Sequence, residues 1–459
     1  MKTLTVKLKQ HTPLIHFQHD QYRATLRASE VKPKLDRFLI KEVFKDKWDD
    51  CKEFLIGYKK SQKENDEDRK KDEKKLNQVL KQKFDNGFRA LNYKMRIEVS
   101  KKEADSSSIG SGKIPMYFGD MGDNEKKKTV HMDKINLILW IDGDLEDKLK
   151  SVIAKFFLVT NFGARQSKGY GSFYIDKEDE LYKEPDGYIG TTTYIQTKFS
   201  RECKKWNEAQ MLVDIFYKTI RSGINECRKI CSSKSISKCK VSKLGNVNII
   251  DDYKQSSLCK NKGCEHYIAN GSVFYFKSAL FHYVKCKLKK QWDKKTIKDA
   301  LYNNKRDGQN ELYRDLLGLA NNTKFGSDII KKQSDEDIQR YKSPIFIKPI
   351  EDENVFTFYI GFENNDELEK IKNKEFTITR NDKILLKLKT SGEFSISDYF
   401  DYLFKSSPKC NFMVDDMIGN KCITNKKTNE KVYPDSKNHE YYGLLKDIYG
   451  QLRNNYKKI

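Results

Sequence analysis

The order of strand-like and helical segments in the first part of the chain constrains its fold more than any other feature. The segments, in order, are an alternating strand at 2–9, an amphipathic helix from Ser29, strands at 91–100 and 130–143, a helix at 145–163, and an aromatic strand at 171–176. The second helix is predicted to end at Gly163 because glycine commonly caps a helix C-terminus. A β-α-β-β-α-β order is typical of a ferredoxin-like (RRM-like) domain of the α+β class.

The rest of the chain repeats this theme with additional elements. It predicts strands at 191–200, 343–350, 355–362 and 375–389, and helices at 202–223, 272–292 and 308–320. We therefore predict two ferredoxin-like domains, 1–185 and 186–459, the second elaborated with extra helices. Residues 59–85 are highly charged with almost no apolar face, which predicts a solvated hairpin or a disordered insertion.

The charge of the chain indicates the class of its partner. A formal net charge of +23 over 459 residues favours a polyanion, with nucleic acid ahead of an anionic membrane surface. No apolar run reaches the roughly 18 residues of a membrane-spanning helix, and the first ten residues alternate like a strand rather than a signal peptide. We therefore expect a cytoplasmic protein without a membrane partner, whose ten cysteines are mainly reduced thiols.

A glycine-rich loop at 161–172 lies between the second helix and the last strand of the first domain, in the stretch "NFGARQSKGYGSFYI". Glycines permit positive φ angles and close approach of a ligand to the backbone. Two cations and several N–H groups in such a turn are suited to binding an anion. The loop is therefore a predicted phosphate site, with candidate residues Gly163, Arg165, Gln166, Ser167, Lys168, Gly169 and Gly171.

Four motifs in this chain resemble those of a known family. "TLRASEVKPKLDRFLI" at 25–40 matches a Leu-Arg-x-Ser signature followed by a lysine at a helix start and a later arginine, here Leu26, Arg27, Ser29, Lys32 and Arg37. Together with the glycine-rich loop, this segment resembles the RAMP superfamily of CRISPR-associated proteins. "LLGLA" at 316–320 and "RYKSPIFIKPI" at 340–350 are similar to second-domain signatures of the Cmr-type subunit with two RAMP domains. Pro33 and Ala320 depart from the usual residues of these motifs.

The resemblance implies a non-catalytic subunit of a type III CRISPR effector complex that binds guide RNA, target RNA or both beside other subunits. It implies no cofactor and no small-molecule substrate. Besides the loop, the candidate RNA-binding residues are Arg27, Lys32, Lys34, Arg37, Arg340 and Ser343. We expect the cations of 25–40 to lack partners within the fold and to face RNA. Pairing with the acidic residues of 59–85 is the alternative.

Aromatic residues close to these loops suggest base stacking. Tyr22, Tyr170 and Phe173 are available for stacking on single-stranded RNA. The alternative is that Phe173 packs in the core and that the glycines only shape a turn. A stand-alone basic RNA-binding protein outside any CRISPR complex also fits the composition.

Catalysis and metal binding are further alternatives. His11, His16 and His19 lie with Tyr22 just after the first strand. A metal-independent RAMP endoribonuclease that processes guide RNA precursors would use His16, His19 and Tyr22. No P-loop or nucleophilic triad signature supports nucleotide hydrolysis. Cys227, Cys231, Cys259 and Cys264 are candidate zinc ligands, but they do not form two Cys-x-x-Cys pairs.

Overall fold

The computed structural model of the chain is an α+β protein. Among the residues that it describes, no helix is long and apolar enough to cross a lipid bilayer. The described residues are 2–15, 26–58, 67–109, 127–191, 195–227, 230–231, 242–244, 247–249, 266–267, 273–304, 310–320, 322–325, 328–334, 336, 338, 340–362, 366–405, 412–419, 423–424, 431–432, 437 and 440–458.

The first half is built on one antiparallel sheet. Its strands are β1 (Lys2–Gln10), β2 (Leu14–Ile15), β3 (Tyr93–Ile109), β4 (Lys127–Ile141) and β5 (Phe173–Ile175). β1 pairs with β4 on one side and with β5 on the other, and β4 also pairs with β3 and β2. Alternation in β1 buries Leu4, Val6 and Leu8, as the sequence predicts for a half-buried strand.

Helices of the first half supply the rest of this core. They are α1 (Ala28–Glu42), α2 (Trp48–Cys51), α3 (Glu67–Asp85) and α4 (Leu145–Leu158). The rings of Phe38 in α1 and Phe156 in α4 lie 5.6 Å apart, so the two long helices pack together. Pro33 is the sixth residue of α1, so it removes the N–H that would donate to the Ser29 carbonyl inside the helix.

The charged insertion differs from its prediction. Its second part forms α3, and Leu80 and Phe84 are buried although most of the helix is charged. These residues are four apart and so share one helix face, and the Phe84 ring lies 5.6 Å from that of Trp48. The expectation that 59–85 has almost no apolar face is therefore wrong for this part, and 59–66 lies outside the described residues.

The second half has more and shorter elements. Its helices are α5 (Trp206–Arg221), α6 (Ala279–His282), α7 (Asp293–Tyr302), α8 (Asp366–Ile371), α9 (Ile396–Phe404) and α10 (Glu440–Asn455). Its strands are β6 (Thr197–Glu202), β7 (Ile224–Cys227), β8 (Ile230–Cys231), β9 (Ser242–Leu244), β10 (Val247–Ile249), β11 (His266–Tyr267), β12 (Val273–Phe276), β13 (Glu311–Leu312), β14 (Leu319–Ala320), β15 (Asn322–Phe325), β16 (Asp328–Ser334), β17 (Arg340–Tyr341), β18 (Ile345–Asp352), β19 (Val355–Phe362), β20 (Glu375–Arg380), β21 (Lys383–Thr390), β22 (Ile423–Thr424) and β23 (Lys431–Val432).

Of two predicted helices in the second half, one is confirmed only at 279–287 and the other is wrong. Segment 272–292 contains strand β12, the single turn of α6 and a π-helical turn at Tyr283–Lys287. Segment 308–320 contains β13, a 3₁₀ turn and β14. Short apolar runs have the same composition in buried strands and buried helices, and here tertiary packing decides between them.

A three-stranded antiparallel sheet, in the order β18-β19-β6, lies between two hydrophobic cores. Ile347 and Phe358 pack into the core of the second half. Ile350 and Tyr359 pack against the core of the first half. Because side chains alternate along a strand, one sheet can contribute to both cores, and this sheet joins the halves.

The outer edge of β6 is covered by helix α10 instead of a further strand. The Ser200 N–H donates to Gln451 Oε1 at 2.8 Å, and Gln451 Nε2 donates to the Ser200 carbonyl at 3.2 Å. Asn455 Nδ2 donates to the Lys198 carbonyl at 3.3 Å. Side-chain amides of a helix thus satisfy backbone groups that a fourth strand would otherwise bind.

Candidate nucleic-acid interface

The glycine-rich loop is packed too tightly for side chains at its glycines. Gly163, Gly169 and Gly171 have φ angles of +74°, +79° and +65°. A Cβ atom on Gly171 would collide with the Phe162 carbonyl oxygen, and one on Gly169 would lie 2.6 Å from Cγ of Pro349 in β18. The glycines are therefore required both by positive φ and by close approach of the chain to itself.

The loop also contacts the outer edge of β18 through its polar residues. Asn161 Nδ2 donates to the Ile347 carbonyl at 2.9 Å, and Ser172 Oγ donates to the Pro349 carbonyl at 2.6 Å. Pro349 has no N–H, so no donor is left there without an acceptor. Side chains of the first half thus close this edge of the three-stranded sheet, as α10 closes the other.

Two basic residues complete the contact with β18. The Lys348 side chain is fully buried, and its Nζ donates to the Thr160 and Phe173 carbonyls at 2.9 and 2.8 Å. Burial lowers the pKa of Lys348. His11 Nδ1 lies 3.0 Å from the Glu351 N–H, which donates to it. Burial, with smaller contributions from Lys348 and Lys9, lowers the pKa of His11 to about 3, so the imidazole is neutral at pH 7.

The two cations of the loop are turned into the protein. The Lys168 ammonium lies over the ring of Tyr217 in α5. Its burial lowers its pKa, Arg221 lowers it further, and Asp214 opposes both effects. Burial likewise lowers the pKa of Arg165, which faces Tyr170. In this arrangement neither cation points outward from the loop, and the predicted contact of Arg165 and Lys168 with RNA phosphate stays untested.

The loop meets helix α1 as the sequence predicts. Lys34 Nζ lies 3.2 Å from both Glu30 Oε1 and the Asn161 carbonyl, and 3.3 Å from Gln166 Oε1. Glu30 Oε1 also accepts the Gly163 N–H at 2.8 Å. Ser167 is half-buried.

The expectation that the cations of α1 lack partners in the fold is wrong for two of them. Lys32 Nζ forms an ion pair with the buried Asp36 at 2.7 Å and donates to the Leu91 carbonyl at 2.9 Å. Lys34 pairs with Glu30 at 3.2 Å. These carboxylates belong to α1 itself and not to the 59–85 insertion, and Arg27 is half-buried at the N-cap of the helix.

The outward-facing charges of this region are Arg37 and Lys342. Both side chains are exposed, and both positive charges lower the pKa of Lys34, after burial as the largest cause. Each therefore lies within electrostatic range of Lys34, although Arg37 belongs to α1 and Lys342 to the turn before β18. Among the described residues, neither forms an ion pair, and Arg37 Nε donates to the Pro33 carbonyl at 3.2 Å.

The remaining candidates of the second half are near this turn. Ser343 is buried, and its Oγ accepts the Ile345 N–H at 3.2 Å. Arg340 lies in β17, where its backbone pairs with Ala320. The exposed residue between them is Lys342, which sequence reasoning passed over.

The aromatic residues proposed for stacking are not exposed. Tyr170 and Phe173 are both fully buried, and the Tyr170 ring lies 5.4 Å from Trp206. The alternative that Phe173 packs in the core is therefore confirmed, and base stacking on these two rings is wrong. Tyr22, His16 and His19 lie outside the described residues.

The zinc prediction stays untested. The backbone of Cys227 in β7 pairs with that of Val273 in β12, and the backbone of Cys231 in β8 pairs with that of His266 in β11. Cys259 and Cys264 lie outside the described residues. In the part of the chain that is described, no three His, Cys, Asp or Glu side chains group to hold a metal ion.

Lys348, His11 and Lys342 are the residues of this region whose roles the sequence did not reveal. A single lysine in the apolar strand "IFIKPI" was the available signal for Lys348, because a strand between two cores has no solvent-facing position for it. Lys342 is the lysine of the "RYKSP" motif. It is the exposed residue there because its neighbours Tyr341 and Ser343 are buried, and only the fold determines that.

Comparison with known proteins assigns the family. The Cmr1 N-terminal domain matches residues 1–224, and the Cmr1 C-terminal domain matches residues 275–441. A search of curated proteins gave no match.

The solved structures that match include the cryo-EM structure of the Type III-B Cmr-beta bound to cognate target RNA. That match has 14% identity and a TM-score of 0.26, and covers 78% of this chain and 93% of the other. It is too weak to transfer contacts, so the assignment depends on the two domain matches, which span most of the sequence. The chain belongs to the Cmr1 family of Cmr-type CRISPR-associated subunits.

Proposed function

We propose that this chain is an RNA-binding subunit of a type III CRISPR effector complex, and that it contacts guide or target RNA beside other subunits. Membership of the Cmr1 family supports a place in such a complex. The formal charge of +23 supports a polyanionic ligand. The proposed activity is binding and not cleavage.

We infer a ferredoxin-like RAMP topology for the first half. The strand order β5-β1-β4-β3, with α1 and α4 as the connecting helices, supports it. In the second half, β6, α5, β18 and β19 supply the corresponding β-α-β-β part, and α10 lies at the edge of β6 where a last strand would pair. Two separate hydrophobic cores support a division into two RAMP domains, with the change of core between Ile195 and Phe199, somewhat after the expected boundary at 185/186.

The observation that carries the proposal is the position of Arg37 and Lys342. They come from different halves of the chain, lie close to Lys34, and are exposed. Two exposed cations that both act on Lys34, and that form no ion pair among the described residues, are suited to binding a phosphodiester. We therefore place the RNA backbone over this outer ridge, defined as Arg37 and Lys342. Arg27, Lys32, Lys34, Arg340 and Ser343 support or flank it.

The glycine-rich loop has an indirect role in this proposal. Its buried cations and its contacts with β18 hold the two halves together, and this brings Lys342 to α1. Gly163 and Gln166 orient Glu30 and Lys34 beneath the ridge. The loop thus builds the site without supplying its main charges.

The test is salt-dependent binding of single-stranded RNA to the full chain. Each phosphate contact contributes about 0.7 to the slope of log affinity against log salt for single strands. Arg37→Gln with Lys342→Gln should therefore lower the slope by about 1.4 and weaken binding roughly 10- to 30-fold near 0.1 M salt. Fluorescence anisotropy with a labelled oligouridine measures both.

A matched control is Lys383→Gln with Lys389→Gln. These lysines of β21 are exposed, and the double variant loses the same charge. It should leave the slope within about 0.3 of wild type. Equal losses in both double variants would mean that only net charge matters, and unchanged binding in the first would reject the ridge.

A further inference from the structure

The seam between the halves is defined as the contacts of the glycine-rich loop and His11 with β18 and α5. A lysine-rich segment of the second half shares no residue with it. It covers residues 285–298 and includes the end of the π-helical turn and most of α7. Its exposed lysines are Lys285, Lys287, Lys289 and Lys295, and Lys298 is half-exposed. Lys289 has a φ of +59°, a conformation that is uncommon outside glycine and that directs the chain sharply between the turn and the helix.

The carboxylates of this segment do not neutralise those lysines. Asp293 is fully buried, where it accepts the Tyr313 and Arg314 N–H groups at 3.3 and 3.2 Å. Asp299 accepts Asn303 Nδ2 at 3.1 Å. Among the described residues, none of the five lysines forms an ion pair. The segment therefore presents uncompensated positive charge to solvent.

Two lysines and an exposed tyrosine lie on the same face of helix α7. Its buried face carries Thr296, Ile297 and Ala300. The opposite face carries Lys295, Lys298 and Tyr302, which are spaced i, i+3 and i+7 and so lie in one line along the helix. Tyr302 is 56% exposed, whereas Tyr170 and Tyr217 at the glycine-rich loop are buried.

We propose that this line, Lys295, Lys298 and Tyr302, is a second contact surface for single-stranded RNA. Two phosphates would lie against the lysines, and an unpaired base would stack on the Tyr302 ring. An acidic protein segment would use the charge but not the exposed ring, and a duplex has no base face to offer it. The proposal rests on RNA being the ligand of the chain, but its site shares no residue with the outer ridge.

The closing experiment separates charge from stacking in the full chain. Binding of labelled oligouridine is measured against salt for Lys295→Gln with Lys298→Gln, for Tyr302→Ala and for Tyr302→Phe. The lysine variant should lower the slope by about 1.4. Tyr302→Ala should weaken binding roughly tenfold with an unchanged slope, and Tyr302→Phe should bind within about twofold of wild type because its ring remains.

A control and a second site make each failure distinguishable. The control variant is Lys383→Gln, Lys389→Gln and Ile384→Ala on β21, which removes equal charge and an exposed apolar side chain. Wild-type affinity and slope in all α7 variants would overturn this proposal. If the ridge variant Arg37→Gln with Lys342→Gln loses affinity in the same assay, RNA binding itself stands and only the α7 surface falls. Equal loss in Tyr302→Ala and Tyr302→Phe would also overturn stacking.

Discussion

Two groups of cations meet around the glycine-rich loop, and their surroundings differ sharply. Lys168 and Lys348 are directed into the seam, where aromatic rings and backbone carbonyls surround them. Arg37 and Lys342 lie on the outside of the same region and are exposed. Burial lowers the pKa of both inner lysines, whereas the outer pair is exposed to solvent. The inner group is suited to joining the halves and the outer group to binding an anion.

A basic glycine-rich loop can therefore pack two halves of a chain together instead of binding a ligand. Each glycine lies where a Cβ would meet neighbouring atoms of the same chain, so the space that a ligand phosphate would need beside the loop is filled by β18 and the β1–β2 region. The cost of burying Lys348 without a carboxylate is offset by its two carbonyl acceptors.

The largest expected effect is on the packing of the loop. Gly171→Ala should destabilise the protein by about 3 kcal/mol or more, because the new Cβ meets the Phe162 carbonyl at a positive φ. Gly143 has a similar φ of +66° but nothing within 4 Å of a Cβ, so Gly143→Ala should cost only about 1 kcal/mol. Urea unfolding of both variants measures the difference. Equal costs would show that the loop is not crowded.

A smaller effect is expected from the pH dependence of the seam. Burial lowers the pKa of His11 to about 3, whereas an unfolded histidine titrates near 6.5. Between these values the unfolded chain binds more protons, so stability falls as the pH is lowered from about 6.5 towards 3. From about pH 7 to about pH 5, this group should cost about 1 to 2 kcal/mol.

The control for this prediction is His11→Gln, whose amide oxygen can still accept the Glu351 N–H. The variant should lose less stability than wild type over the same pH range, by urea unfolding at each pH. If both proteins lose the same amount, then His11 titrates in the folded state much as it does in the unfolded one.

Periodicity predicted much of the first half, since β1 and α1 have unambiguous alternating or helical apolar spacing. The loop, helix α1 and the motif before β18 were also expected to matter, and the structure brings them together. Periodicity failed at β12 and at 308–320, where short apolar runs fit strands and helices equally well.

Side-chain direction was beyond the reach of the sequence. Lys168 and Lys342 are both lysines in polar turns, and only the contacts of α5 and β18 decide that the ammonium of Lys168 is buried and that Lys342 is exposed. The partners of Lys32 were visible as a spacing of four residues to Asp36, a helical ion pair that local reasoning had the means to find.

The most direct test of the account compares an inner and an outer cation in one assay. Lys168→Met keeps an apolar chain of similar length over Tyr217, so the variant can fold, as a thermal melt would verify. The salt slope of oligouridine binding is then measured for this variant and for Arg37→Gln with Lys342→Gln. We predict that Lys168→Met keeps the wild-type slope and that the outer pair loses about 1.4. A folded Lys168→Met variant whose slope falls by about 0.7, beside an unchanged outer-pair variant, would contradict the account and return phosphate binding to the glycine-rich loop.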